Sequence, residues 1–359
     1  MVSITSRGAN PYDSGVIERA ARARRDAKAA ITISEVAVRA GVSTATVSRV
    51  LAGSDRVAED TRAKVLAVIE STDYRPSGVA RSLRLKSTSV VGLIVTDIQN
   101  PFYPEIVRGV EDTAIKSGRS TILCNASNDL DRELAYFNLL LDQRVDGLII
   151  ASSELVRRHL DLLRTLSIPV VIANHEYIEP GIPVISTPEE TMGYLAAEHL
   201  IESGYDPLIY VGGPNEGLTV APRYEGFKRG AGNREVLLIP GDGTLESGLR
   251  VGKQLGASPR GRLGIAAHND LTAIGILRSL LSERIEVPED VGLVGCDDIP
   301  LASVVTPSLT TIRQDQYEMG CLAMETMHQQ LIGNSVKHDQ LMTVELIVRE
   351  STRVENLGG

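Results

Sequence analysis

Apolar and polar positions fall into two textures along this chain. In residues 31–72 the apolar residues recur at helical spacing, in short segments broken by turn residues. ISEVAVRA (33–40) predicts a short helix with Val36 and Ala40 on one face, and GVS (41–43) predicts a turn. TATVSRVL (44–51) predicts a second helix with Ser43 as its N-cap. A loop at 55–57 leads into EDTRAKVLAVIEST (59–72), a longer helix with Val65, Leu66, Val68 and Ile69 as its apolar stripe. Tyr74-Arg75-Pro76 stops that helix, because the residue before proline is disfavoured in helical geometry. A short amphipathic segment (77–84) and a polar link, LKSTS (85–89), follow.

From residue 90 the texture changes to short apolar runs. They are VVGLIV (90–95), TILCNA (121–126), DGLIIAS (146–152), PVVIAN (169–174), PLIYVGG (207–213), EVLLIP (235–240), LGIAAHND (263–270) and VGLVGCDD (291–298). Helical stretches such as 105–118, 192–204 and 271–283 separate them. This alternation predicts βαβ units and a parallel sheet. A restart near 186–207 predicts two similar doubly wound subdomains, whose facing strand ends form a cleft where such sheets bind ligands.

Length and charge sharpen this picture. A chain of 359 residues is too long for one ordinary domain. No apolar run approaches the roughly 20 residues that cross a bilayer, and residues 17–30 are charged throughout where a signal peptide would be apolar. A cytoplasmic protein with no membrane partner is expected. Cys124, Cys296 and Cys321 are scattered, so they read as small buried hydrophobes and not as a disulfide framework or a metal cluster. Residues 1–90 hold 15 Lys+Arg against 9 Asp+Glu, a charge of +6, whereas the remainder holds 22 against 37, a charge of −15. A basic head on an acidic body implies that only the head meets a polyanion. Residues 1–30 read as an irregular extension that adds phosphate contacts; a misassigned start codon fits them equally well.

Reading a DNA duplex requires a slim helix in the major groove, held by a second helix across it. Ala37 lets two helices approach, Gly41 takes the left-handed turn, and Val47 seals the pair. Thr44, Thr46, Ser48 and Arg49 then remain for bases and phosphates. A helical hairpin with no DNA role shares this spacing. The basic head and the third helix decide for DNA.

Further motifs carry a resemblance. Residues 33–50 are followed by RV-x-E-x-T-R-x-K-V (56–65), YRPSGVARSLR (74–84), GLIVTDIQNPFYPEIVRGVE (92–111) and RVDGLII (144–150). R-x-x-GF (223–227), ND (269–270), VPEDVGLVGCDDIPLA (287–302) and TPSLTTIRQ (306–314) complete the series. In this order the chain from residue 31 to about 353 resembles the lactose-repressor/galactose-repressor (LacI/GalR) family of bacterial transcription regulators. The resemblance implies an all-α helix-turn-helix head plus an α/β periplasmic-binding-protein-like body of two doubly wound parallel-sheet subdomains. It implies a DNA-binding domain over 31–75, a hinge helix and linker over 76–89, and an effector-binding domain over 90–359. Within the last, one subdomain takes about 90–187 and 315–342, the other about 188–314 and 343–359.

By the same resemblance Thr44 and Ala45 are the first exposed positions of the recognition helix and Arg49 lies one turn on, suited to a bidentate contact with guanine. Ser77, Ala80 and Leu83 fall in a hinge helix that folds on operator DNA, with Leu83 wedged into a central minor-groove step. Ala52 departs from the family's usual Asn and loses one phosphate contact. Ser77 replaces another Asn, though serine also caps helices.

The resemblance places the effector between the subdomains and implies Phe102, Tyr103, Asn174, Thr219, Arg223, Asp270 and Gln314 as its contacts. Phe102 and Tyr103 offer an aromatic wall, and read equally as core packing. Arg223 suits a clamp for hydroxyls or a carboxylate, against a surface ion pair. Asp270 would accept hydroxyl hydrogen bonds, while Asn269-Asp270 also reads as the N-cap of the helix over 271–283. Purine-responsive members carry an Arg where this chain has Gly217 and an aromatic where it has Gly243, so a purine is disfavoured and a sugar or derivative is favoured.

Catalysis finds little support. The chain has no GxxxxGK[ST] loop, and GDGT (241–244) is not a dinucleotide fingerprint. Its histidines lack metal-ligand spacing, and Asp297 and Asp298, adjacent in a strand, point to opposite faces. No enzyme activity, metal or cofactor is expected. The ending TRVENLGG carries no trailing heptad, which favours a homodimer over a coiled-coil tetramer. The expected function is sequence-specific transcriptional regulation of repressing type, with operator affinity modulated by a small molecule; induction and corepression both stay open. A transport protein would instead need a signal peptide and no DNA head.

Overall fold

Thr32 opens helix α1 (Ile33–Ala40) with a reciprocal cap. Its hydroxyl accepts from Glu35 N at 3.3 Å, and its own N–H donates to Glu35 Oε2 at 2.7 Å. The computed structural model describes residues 31–51, 53–72, 74, 87–151, 163, 165–174, 181–212, 220–256 and 262–353. The extension 1–30, the hinge with Ser77, Ala80 and Leu83, and Ala52, Gly217 and Thr219 lie outside the described residues. The chain divides into two units, Met1–Lys86 and Ser87–Gly359.

Gly41 ends α1 at φ 66°, a left-handed conformation that glycine adopts without a Cβ clash. Ser43 then starts α2 (Thr44–Leu51) by accepting from Thr46 N at 3.1 Å. Helix α3 (Glu59–Thr72) closes the head over Val36, Ala37, Val47, Val50 and Val65, all buried. Arg62 Nη2 donates to Ser54 O at 2.6 Å and pins the intervening loop. One expectation fails: Leu66 is 48% exposed. Val65, Val68 and Ile69 share a face at i, i+3 and i+4, whereas Leu66 is turned about 100° away.

The body contains two sheets of the same order. The first runs β11 (Asp339–Leu341), β5 (Val184–Ser186), β4 (Val170–Ala173), β3 (Gly147–Ala151), β1 (Val90–Val95), β2 (Ser120–Asn125). The second runs β12 (Val344–Ile347), β10 (Thr310–Gln314), β9 (Val291–Asp297), β8 (Leu263–Ala267), β6 (Leu208–Val211), β7 (Val236–Ile239). Pairing is parallel except for the antiparallel edge β10–β12. The eight expected strands all form; β5, β10, β11 and β12 are additions.

Strand alternation splits each sheet's core into two faces. In the first sheet Val91, Leu93, Ile149 and Val171 pack against α4 (Phe102–Lys116) and α10 (Gln316–Leu331). Ile94, Leu148, Ile150 and Ile172 face α5 (Leu130–Asp142). In the second, Val211, Ile265 and Leu293 pack on α8 (Leu245–Gly256) and α9 (Asp270–Ser282). Leu208, Tyr210, Ala266 and Val294 pack on α6 (Glu189–Glu202) and α7 (Val220–Ala231). The chain crosses between the sheets after β5, after β10 and between β11 and β12. Ile299 and the start of α9, through Leu271 and Ile274, pack against the first sheet's core and tie the subdomains together.

Candidate DNA-reading face and effector site

Helix α2 divides cleanly by burial. Val47 and Val50 are buried, and Thr44, Ala45 and Arg49 are exposed. Thr46 and Ser48 are half-buried, and the Thr46 hydroxyl already pairs with Ser43 Oγ at 2.9 Å. Thr46 thus serves the helix start, while Thr44, Ala45 and Arg49 are presented outward. A face with small side chains at its first turn and a guanidinium one turn on can approach base edges closely.

Of the candidate effector residues, Arg223, Asp270 and Gln314 gather near the C-terminal ends of the second sheet's strands. Arg223, on α7 and 8% exposed, donates from Nε to Glu189 Oε2 at 2.7 Å, and its Nη2 lies 2.6 Å from the same oxygen. Its Nη1 donates to His268 O. These contacts use three of its five N–H donors. Arg223 is therefore in a buried pair, not a surface one. Its partner Glu189 is fully buried and also accepts from Thr187 Oγ1 at 2.8 Å. Burial pushes the Glu189 carboxyl up, and Arg223 and Thr187 hold it back.

Asp270 is likewise fully buried. Its Oδ1 accepts from the Thr311 hydroxyl at 2.6 Å and its Oδ2 from Ile299 N at 2.9 Å, which braces α9, β10 and the loop after β9. The N-cap of α9 is Asn269 alone, whose Oδ1 accepts from Thr272 N at 2.9 Å. Gln314, 1% exposed, donates from Nε2 to Asp297 Oδ1 at 3.0 Å. Its Oε1 is buried with no hydrogen-bond partner among the described residues. An unpaired buried acceptor is costly, and a hydroxyl donor would relieve it. Asn174, at the end of β4 with φ 54°, sits 3.5 Å from the Thr187 hydroxyl, so it adjoins the same network from the first sheet.

Phe102 and Tyr103 lie in the first turn of α4, buried among Ile106 and Met319, with ring centroids 5.2 Å apart at 89°. The core-packing alternative describes them in this conformation, although Tyr103 retains 9% exposure.

Sequence reasoning missed Glu189, His268 and Asp297. For Asp297 the signal was present: strand alternation that argued against a paired-carboxylate role turns it inward. Asp298 instead faces Arg313 at 2.7 Å and Arg349 at 2.6 Å. Asp297 and Asp298 have φ of 122° and 58°. Such non-glycine conformations cost on the order of 1–3 kcal/mol each and cluster at ligand clamps.

Glu189 and Asp297 lie near the Arg223 guanidinium, and Asp270 in turn acts on Asp297, so these buried carboxyls do not all ionise together. Burial pushes Asp270 up to about 7, against hydrogen bonds from Thr311 and Ile299 N. Asp297 is pushed well above the carboxylate range by burial and then by Asp270. His268 is pushed down to about 4 by burial and by Arg223, so the imidazole is neutral at pH 7. The unfolded chain releases the Asp270 proton near pH 4, whereas the folded body keeps it to about pH 7. The folded state binds more protons in that window, so this contribution to stability falls as pH rises, by about 1.4 kcal/mol per unit for each retained proton. Urea midpoints measured from pH 5 to pH 7 should show this downward slope, and Asp270→Asn should flatten it. An unchanged slope in the variant would refute the assignment.

A family profile described as bacterial regulatory proteins, lacI family, matches residues 32–77, and one described as a periplasmic binding protein-like domain matches 197–352. The ribose operon repressor of Halalkalibacterium halodurans is 34% identical over 325 residues, 90% of this chain and 97% of that protein. The HTH-type transcriptional repressor PurR of Photobacterium profundum is 34% identical over 329 residues, 90% and 98% of the two chains. Among solved structures, the lac repressor dimer bound to operator and the anti-inducer ONPF superposes with a TM-score of 0.80 at 28% identity, covering 91% of this chain and 100% of that one.

Proposed function

Since this chain belongs to the lacI family of bacterial regulatory proteins, we propose that α2 reads its operator through Thr44, Ala45 and Arg49, and that a sugar-like effector binds at the ends of β8, β9 and β10. It is a DNA-binding transcriptional repressor with an effector-binding body. The observation that carries the effector reading is the Gln314 Oε1 acceptor, buried beside Asp297 without a hydrogen-bond partner among the described residues. A polyhydroxylated ligand supplies donors to Gln314, Asp297 and Asp270 and acceptors to the remaining Arg223 N–H groups. Asn174 and Thr219 complete the set, and Phe102 and Tyr103 meet the ligand's apolar face when the subdomains reposition.

The relatives do not choose between ligand classes, because the ribose operon repressor and PurR match with the same 34% identity. The expected exclusion of purines therefore has no support from similarity. Local chemistry favours a sugar: Gly243, at φ 84°, sits against His268 and Asn269 and supplies no ring for stacking a base.

Effector and operator bias one two-state element, and their coupling is reciprocal. Ser77, Ala80 and Leu83 contact operator DNA, and a homodimer presents them in duplicate. Regulation rather than catalysis is the role of the cleft, and a DNA partner is consistent with a cytoplasmic protein.

Selection of bound fragments from a random DNA pool tests the reading. A palindrome of two half-sites about one helical turn apart is expected, with its affinity shifted by ribose or another small sugar. Recovery of no preferred sequence would contradict it.

A further inference from the structure

Residues 85–89 read as a polar link in the sequence, yet Ser87, Thr88 and Ser89 all donate to one carboxylate of the body, and the Thr88 hydroxyl also donates to Arg144 O at 3.0 Å. Asp146 stands just before β3, and its N–H donates to Val90 O at 2.7 Å. Its Oδ1 accepts from Thr88 N at 2.8 Å and the Thr88 hydroxyl at 2.9 Å. Its Oδ2 accepts from the Ser87 hydroxyl at 2.6 Å, Ser89 N at 2.9 Å and Arg119 Nη1 at 3.1 Å. A carboxylate offers about four lone-pair sites, so this one is saturated. The successive N–H groups of Thr88 and Ser89 aim at it as an anion nest, with Ser89 at φ 56°. Burial works against the charge, but the Ser87, Thr88 and Ser89 hydrogen bonds outweigh it and keep the carboxyl ionised below its usual range.

The position of this knot gives it a role. Ser87 is the first residue of the body's unit, directly after the segment that leads from the head. Five hydrogen bonds are more than a surface link needs to start a strand, and Ser120 N already pairs with Ser89 O at 2.9 Å to open the β1–β2 ladder. We propose that Asp146 is a positioning residue that fixes where and in which direction the linker leaves the body, and so sets operator affinity without touching DNA or effector. This rests on the DNA-binding reading above. A tethered head docks with less ordering cost when its tether leaves from a fixed point. Asp146 lies at the N-terminal ends of β1 and β3, whereas the effector cluster reaches the first sheet only through Asn174 at the C-terminal end of β4, so Asp146 does not belong to that site.

The test is Asp146→Asn in the full chain, assayed on the operator recovered by the selection described above. The amide keeps one acceptor and replaces the oxygen that receives Ser87, Ser89 and Arg119 with a donor. Operator affinity should fall by about tenfold or more, while affinity for random DNA and for the effector stays within roughly twofold. Ser87→Ala should weaken operator binding less, and the double variant should be no weaker than Asp146→Asn alone, because both act through one contact. Equal operator affinity in variant and parent, additive losses, or loss of effector binding alongside operator binding would each overturn the proposal. If Asp146→Asn does not fold, Ser87→Ala and Thr88→Val carry the test, and unchanged operator affinity in both overturns it. The parent's own sequence preference is measured first, so its absence counts against the functional reading and not against the anchor.

Discussion

Arg223→Ala should abolish effector binding and cost the body about 3–5 kcal/mol of stability, the range seen when one partner of a buried ion pair is removed. The reason lies less in what Arg223 would give a ligand than in what it leaves behind. Glu189 is fully buried and takes two guanidinium contacts on one oxygen, with Thr187 on the other. Without the guanidinium that carboxylate must stay charged in a low-dielectric site or take up a proton. His268 O, at the end of β8, loses a donor as well. Arg223→Lys should recover part of the stability but not effector binding, since an ammonium cannot reproduce the planar fork. Arg223→Ala with Glu189→Gln should likewise be more stable than Arg223→Ala alone and remain blind to effector. Urea unfolding separates the stability effect, and the effector-induced shift in Tm reports binding. A single variant within about 1 kcal/mol of the parent, or one that keeps its Tm shift, would exclude this arrangement.

The same residues show what a sequence does and does not disclose. The head was legible because its determinants are local. Ala37, Gly41, Ser43 and Val47 lie within eleven residues, and each spacing maps onto one helical turn or one cap. Leu66 was misread because a neighbour in sequence is not a neighbour on a helix face. In the body, eight strands announced themselves as apolar runs, even the partly exposed edge strands β2 and β7. Strand β10 did not, because its buried Thr310 and Thr311 are satisfied by distant partners: Thr310 N donates to Ser351 Oγ at 2.8 Å, and the Thr311 hydroxyl donates to Asp270 Oδ1 at 2.6 Å. Edge strands β11 and β12 are short and partly exposed. Arg223, Asp270 and Gln314 were nameable only through family likeness. Their partners Glu189, Ile299 N and Asp297 come from other segments, and pairing across such separations is set by the tertiary fold.

For the DNA-reading face, Arg49→Ala should lower specific operator affinity by about 1–3 kcal/mol for each recognition helix engaged, and relax the preference at one base pair per half-site. Arg49 is exposed, and it lies on α2 away from the buried Val47 and Val50, so the fold should be unaffected and the loss should fall on binding alone. A phosphate contact would behave differently: affinity would drop about equally on all sequences, and the salt slope would shrink by about one unit per contact. Arg49→Lys separates the two roles. Lysine keeps the charge and therefore the affinity for random DNA and its salt dependence, but it lacks the fork that meets two guanine acceptors at once. Base readout predicts that Arg49→Lys resembles Arg49→Ala on operator and the parent on random DNA. If Arg49→Lys instead binds operator as the parent does, Arg49 acts as a point charge on the backbone, and Thr44 and Ala45 at the helix start must carry the sequence preference.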